Sequence, residues 1–184
     1  GATAPEWTTP AAGAWAVKSS GSFSTTSSLE ITSITKTTKV FLNFLPSASS
    51  SINVQTSTDG GSGWGGVPYY DHAIIHGQQS STSLTVTTTE NSGMWALNTS
   101  MTTFSNASGS NVNVEFTLHS PESNRAKIVT WDICYPTTIG QDDNTLYTGI
   151  GKGTWNGTTA VNAIKFYPQS GTFSAGTYTV LELN

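Results

Sequence analysis

The sequence predicts an all-β domain, an antiparallel β-sandwich of jelly-roll-like form. Three observations predict it. Apolar and polar residues alternate with period two in segment after segment, which is the signature of strands with one buried face. Glycine-rich turn sequences punctuate those segments at fairly even spacing. No stretch of helical length carries apolar residues at three-and-four spacing, and the segment Ser92 to Leu97 offers a short helical turn at most.

Taken in order, residues 1–13 hold four alanines and two prolines with little alternation, and read as an extended arm or linker. Residues 14–184 then form a single sandwich domain, its first strand starting near Trp15. Leu29 and Ile31 alternate with Glu30 and Thr32. Val40, Leu42 and Phe44 follow, then Ile52 with Val54, Leu84 with Val86, and Val112, Val114, Phe116 and Leu118. Val129, Trp131 and Ile133 repeat the pattern, as do Ile164 with Phe166, and the last strand runs from Tyr178 to Leu183. Turns are expected at Asp59 to Gly63, Asn106 to Gly109, Gln169 to Gly171 and Ser174 to Gly176, where glycine tolerates positive φ. Many short strands divided this way suit a sandwich or barrel, and a jelly roll is a common solution at 184 residues. The arm at the front and the strand at the back suggest that this domain ends a longer protein.

Composition narrows function. Charged residues make up only 10% of the chain, but 6 Trp, 6 Tyr and 7 Phe supply a core that a disordered chain lacks. Ser and Thr take the place of charge and suit strands and turns. A net charge of −4, with 7 scattered Lys and Arg, argues against nucleic acid and against an anionic membrane. No run of 18 apolar residues occurs, so no membrane-spanning helix is expected, and residues 1–10 lack the layout of a signal peptide. Cys134 has no second cysteine to pair with and reads as a small buried hydrophobe in a strand.

Catalytic equipment is not evident. Most of the eleven carboxylates fall in turns or at polar positions of alternating strands, where solvation is expected, and only proximity in three dimensions reveals a pair suited to glycoside hydrolysis. Asp142, Asp143 and Asn144 form the densest oxygen cluster, yet the spacing of a calcium loop is absent. His72 and His76 lie four apart in an apparent strand, about 13 Å along one face, too far to share an ion. They read as a surface pair. Gly149 to Gly153 (GIGKG) lacks the spacing and context of a phosphate loop. No metal and no cofactor is expected. Three glycosylation patterns, at Asn98, Asn106 and Asn156, are frequent by chance in so Ser/Thr-rich a chain.

Binding is the use the sequence favours. Between Asp59 and His72, the rings of Trp64, Tyr69 and Tyr70 sit in a glycine-rich segment with Asp59, Asp71 and His72 beside them. Rings that stack on sugar faces, with carboxylates and amides for the hydroxyls, recognise carbohydrate. The competing use of each ring is as a plug on the end of the sandwich. Trp155, beside Gly153 and Asn156, is a weaker candidate.

Two ends of the chain carry a resemblance. The opening Gly1 to Trp7 (GATAPEW), followed by TTPAAG, resembles the entry to a terminal domain of phage tail fibres and virion proteins. The closing half is similar to the same group at Thr158 to Phe166 (TTAVNAIKF) and Ser170 to Thr177 (SGTFSAGT), as is the turn Ser57 to Ser62 (STDGGS). Where that group ends on a Leu-Tyr-Gly-Leu-like strand, this chain has Val180, Leu181, Glu182 and Leu183. The resemblance implies a non-enzymatic domain of a virion, on a tail fibre or related appendage. It also implies a homotrimer that attaches to a host-surface glycan or protein receptor and contacts other virion proteins. The alternatives are a capsid decoration or head-fibre protein, a carbohydrate-binding module of a secreted enzyme, and a polysaccharide-degrading hydrolase.

Overall fold

A computed structural model of the chain describes residues 14–65, 69–79, 81–99, 101, 103, 104, 106, 110–136 and 145–184. The N-terminal arm, the Asp142–Asp143–Asn144 cluster and most of the turn at Asn106 to Gly109 lie outside the described residues. The described chain is all strand, turn and bend: β1 (Trp15–Thr26), β2 (Leu29–Ile31), β3 (Thr38–Pro46), β4 (Ile52–Ser57), β5 (Tyr70–Gln78), β6 (Thr85–Ser92), β7 (Trp95–Ala96), β8 (Val112–His119), β9 (Lys127–Pro136), β10 (Leu146–Trp155), β11 (Ala163–Pro168) and β12 (Phe173–Leu183). All pairings are antiparallel. The strands form an eight-stranded sheet of order β1-β12-β3-β8-β9-β10-β5-β6 and a four-stranded sheet of order β2-β11-β4-β7. The protein is a β-sandwich, as its alternation predicts.

Strands β3, β8 and β9 alternate buried and exposed as their sequences require, and their inner residues meet those of β4 and β11. Aromatic rings bridge the sheets: Phe116 lies 5.3 Å from Phe166, and Trp95 on the smaller sheet meets Tyr70 edge-on at 4.8 Å. Each such side chain removed from water contributes about 1.5–3 kcal/mol. The unequal sheets decide what stays wet. β1 and β6, the outermost strands of the larger sheet, contain no fully buried residue. Leu84 and Val86 are exposed, against the expectation that they face a core, because Val86 pairs with the outward residue Ile75 and Leu84 lies beside Gly77 on the same outer face of the sheet.

Three further expectations are corrected. Ser92 to Leu97 is no helical turn: it closes β6, bends at Gly93 and Met94, and enters β7. Ser174 to Gly176 is not a turn but lies inside β12, and Gly176 is there for space, since a Cβ would come within 2.6 Å of the Asn43 carbonyl oxygen. His72 and His76 are buried, because β5 turns Tyr70, His72, Ile74 and His76 inward and leaves Ala73 and Ile75 outside. By contrast Gly60, Gly61 and Gly171 do hold positive φ (78°, 98° and 74°) in the turns that predict them.

β10 inverts the usual strand logic. Its inward residues are Gly149, Gly151 and Gly153, all buried, and its outward ones include Ile150 and Lys152. The glycines make room for indoles. A Cβ on Gly151 would overlap the Trp131 ring, and one on Gly153 would stand 2.7 Å from Trp95 Nε1. The indole N–H of Trp131 donates to the Leu97 carbonyl at 3.0 Å, and that of Trp95 to the Thr154 carbonyl at 3.2 Å. The GIGKG segment is thus a flat floor under two tryptophans.

Candidate functional site

The six residues singled out between Asp59 and His72 separate into different roles. Asp59 serves its own turn: its carboxylate accepts from Ser57 Oγ at 2.6 Å and from the Gly63 amide at 2.8 Å, and these bonds, the Ser57 hydroxyl first, hold it below the usual carboxylate range. Tyr70 is fully buried. Its hydroxyl accepts from the Thr56 amide at 3.0 Å and bonds Thr56 Oγ1 at 2.9 Å, and burial pushes its pKa up. Asp71 accepts from the Asn91 amide at 2.8 Å and from Asn156 Nδ2 at 2.7 Å, and is likewise lowered, chiefly by the Asn91 bond. His72 is buried beside Trp131, with Nε2 bonded to Thr99 Oγ1 at 3.0 Å.

Two rings of the segment keep open surface. Tyr69 is exposed, and Trp64 is half-buried with Lys165 Nζ 4.6 Å over its ring. Trp64 borders a small cleft of about 220 Å³ with Asp59 and Trp155. Trp155 itself is buried, with Lys127 Nζ 5.5 Å over its ring, so it is not an open platform.

A larger hollow lies on the outer face of the eight-stranded sheet. Outward residues from five consecutive strands line a trough of about 370 Å³: Thr177 and Thr179 on β12, Phe41 and Asn43 on β3, Asn113 and Glu115 on β8, Asp132 and Cys134 on β9, and Thr148 on β10. Their grouping follows from register. Phe41 pairs with Glu115, Glu115 with Asp132, and Asp132 with Ile150, one row across the sheet; Asn43, Asn113, Cys134 and Thr148 form the next. Period-two alternation puts both rows on the face opposite the core.

The trough holds groups that bond hydroxyls from several directions. Asn43 Nδ2 donates to Asn113 Oδ1 at 2.6 Å, which leaves Asn43 Oδ1 to accept and Asn113 Nδ2 to donate. Glu115 takes an ion pair from Lys39 at 2.5 Å, and Lys39 Nζ also lies 5.7 Å from both the Phe41 and the Trp15 rings. Asp132 is exposed and has no hydrogen bond or ion pair among the described residues. Phe41, 40% exposed, supplies a ring face at one end. Cys134 stands on β9 as expected, but half-buried on this outer face, and burial pushes its thiol up, away from the nucleophilic thiolate.

Glu115 and Asp132 are the close carboxylate pair that linear spacing does not reveal, since they stand 17 positions apart on either side of a hairpin. Both rise from the same floor. Hydrolysis of a glycoside needs carboxyl groups flanking the scissile bond, whereas these two reach a ligand from one side. No group of three or more His, Cys, Asp or Glu able to hold a metal occurs among the described residues. Compared with known proteins, the chain matches no family model and no curated protein.

Proposed function

We propose that this chain is a recognition domain without catalytic activity, which binds a glycan in the trough on the outer face of its larger sheet. The observation that carries this reading is the trough itself. A ring face, two amides, two carboxylates and three threonine hydroxyls converge there on a floor of rigid strands, which needs no rearrangement to receive a ligand. A sugar ring presents an apolar face and a rim of hydroxyls, and this lining complements both. Net acidity of the floor favours neutral or amine-bearing sugars over sulfated or carboxylated ones.

The biological setting we propose is a virion appendage such as a tail fibre, where the domain attaches the particle to a host-surface glycan. The motifs at both ends of the chain support this setting. So does a composition in which serine and threonine keep the surface wet with few charges. We keep a jelly-roll-like arrangement as part of the same proposal, on the strength of one eight-stranded and one four-stranded antiparallel sheet.

The test is a glycan array with the purified domain, repeated with Glu115→Gln and Asn113→Ala. The reading expects binding to a narrow set of neutral or amino glycans, weakened about fivefold or more by either variant, since each lost hydrogen bond to a charged or buried partner is worth about 1–3 kcal/mol. Binding that both variants leave intact contradicts the trough as the site.

A further inference from the structure

The outer face continues past the trough into an apolar patch that no described residue covers. Val86, Ile75 and Ile150 are direct cross-strand neighbours on β6, β5 and β10. All three point away from the core, with 65%, 51% and 60% of their surface exposed. Leu84, 75% exposed, and Leu146 extend the patch around a hollow of about 330 Å³ beside Gly77. Isolated exposed apolar side chains are ordinary, but five that adjoin are not. Together they leave on the order of 500 Å² of apolar surface open, at the upper end of what a monomer carries.

We propose that a second copy of this chain covers this patch, face to face, about a twofold axis running along β5. The axis makes the patch self-complementary: Ile75 meets its own equivalent, and Ile150 of each copy lies over Val86 of the other. A standard interface buries roughly 800 Å² per partner, so the twofold must cover the flanking outward residues Ala73, Thr88, Thr148 and Lys152 together with the apolar patch. Charge fits the same placement. Lys152 on β10 and Glu90 on β6 have no ion-pair partner among the described residues, and the axis lays β10 of one copy over β6 of the other. The troughs lie beyond β10 in each copy and stay open on opposite sides. The pair thereby presents two ligand sites at once, which multiplies attachment to a surface without new contacts. The dimer itself does not depend on the glycan reading.

Light scattering across a concentration series tests the pairing directly. The expected result is a mass twice the 19.4 kDa of the chain. Ile75→Lys and Ile150→Lys should each give a monomer with unchanged circular dichroism, while Val17→Lys, on exposed surface at the far edge of the sheet, should remain a dimer. Lys152→Glu should weaken the dimer, and the double variant with Glu90→Lys should restore it. A wild-type monomer, a trimer, or a dimer that survives Ile75→Lys overturns the proposal, and failure of the charge swap to restore pairing overturns the twofold placement.

Discussion

Glu115 and Asp132 stand directly opposite each other in the β8–β9 ladder, and Lys39 neutralises only the first. Like charges so placed destabilise a sheet by about 0.2–1 kcal/mol, and no bond among the described residues gives Asp132 a compensating role in the fold. A local rule broken on an open face points to use by a ligand. Asp132→Asn should therefore leave the domain as stable or up to about 1 kcal/mol more stable, while weakening glycan binding. Thermal melting and a binding titration on the same sample check both halves.

Gly151→Ala should destabilise the domain by about 2–3 kcal/mol, because the added methyl overlaps the Trp131 indole, and overpacked cores lose amounts of this order. Gly60→Ala meets nothing within 4 Å and suffers only from its φ of 78°, so it should cost about 1 kcal/mol. Denaturant midpoints of the two variants measure the contrast.

Tyr70→Phe removes the hydroxyl that bonds Thr56, leaving a buried amide without its partner, and should cost about 1–3 kcal/mol. Tyr69→Ala alters exposed surface and should change stability by less than about 0.5 kcal/mol. Adjacent tyrosines thus answer oppositely in one melting experiment.

Stability should fall in two steps as pH drops. Burial holds His72 and His76 below the ordinary 6.5, so below about pH 6.5 the unfolded chain binds protons that the folded one refuses, and stability declines. Asp59 and Asp71 are lowered from 3.8 by their hydrogen bonds; what they contribute is present above that value and is lost as pH falls through their folded pKa. A melting temperature recorded against pH shows both steps, and replacing both histidines with Gln should shrink the upper one to the part left by His119, which burial and Lys39 also hold below the ordinary value.

The strands whose two faces differ were legible in the sequence. β3, β8 and β9 have one buried face each, and Val40, Phe116 and Trp131 sit where alternation places them. β10 was hidden because its inward residues are glycines that serve Trp131 and Trp95, leaving Ile150 as an apolar residue turned outward. β6 misled for a related reason: alternation separates two faces without saying which is buried, and pairing with Ile75 turns Val86 to the outer one. At the site, Tyr70 and Tyr69 are neighbours in sequence, and the parity of β5 sends one to the core. The trough was invisible because its residues come from five strands and meet only through register.

The position of the bound ligand separates the trough from the Asp59 turn. Amide and side-chain NMR of the labelled domain, titrated with a neutral or amino glycan selected on the array, reads this directly. Shifts should concentrate at Phe41, Asn43, Asn113, Glu115 and Asp132. Shifts confined instead to Trp64, Tyr69 and the Asp59 turn, with the trough unmoved, would contradict the trough as the site.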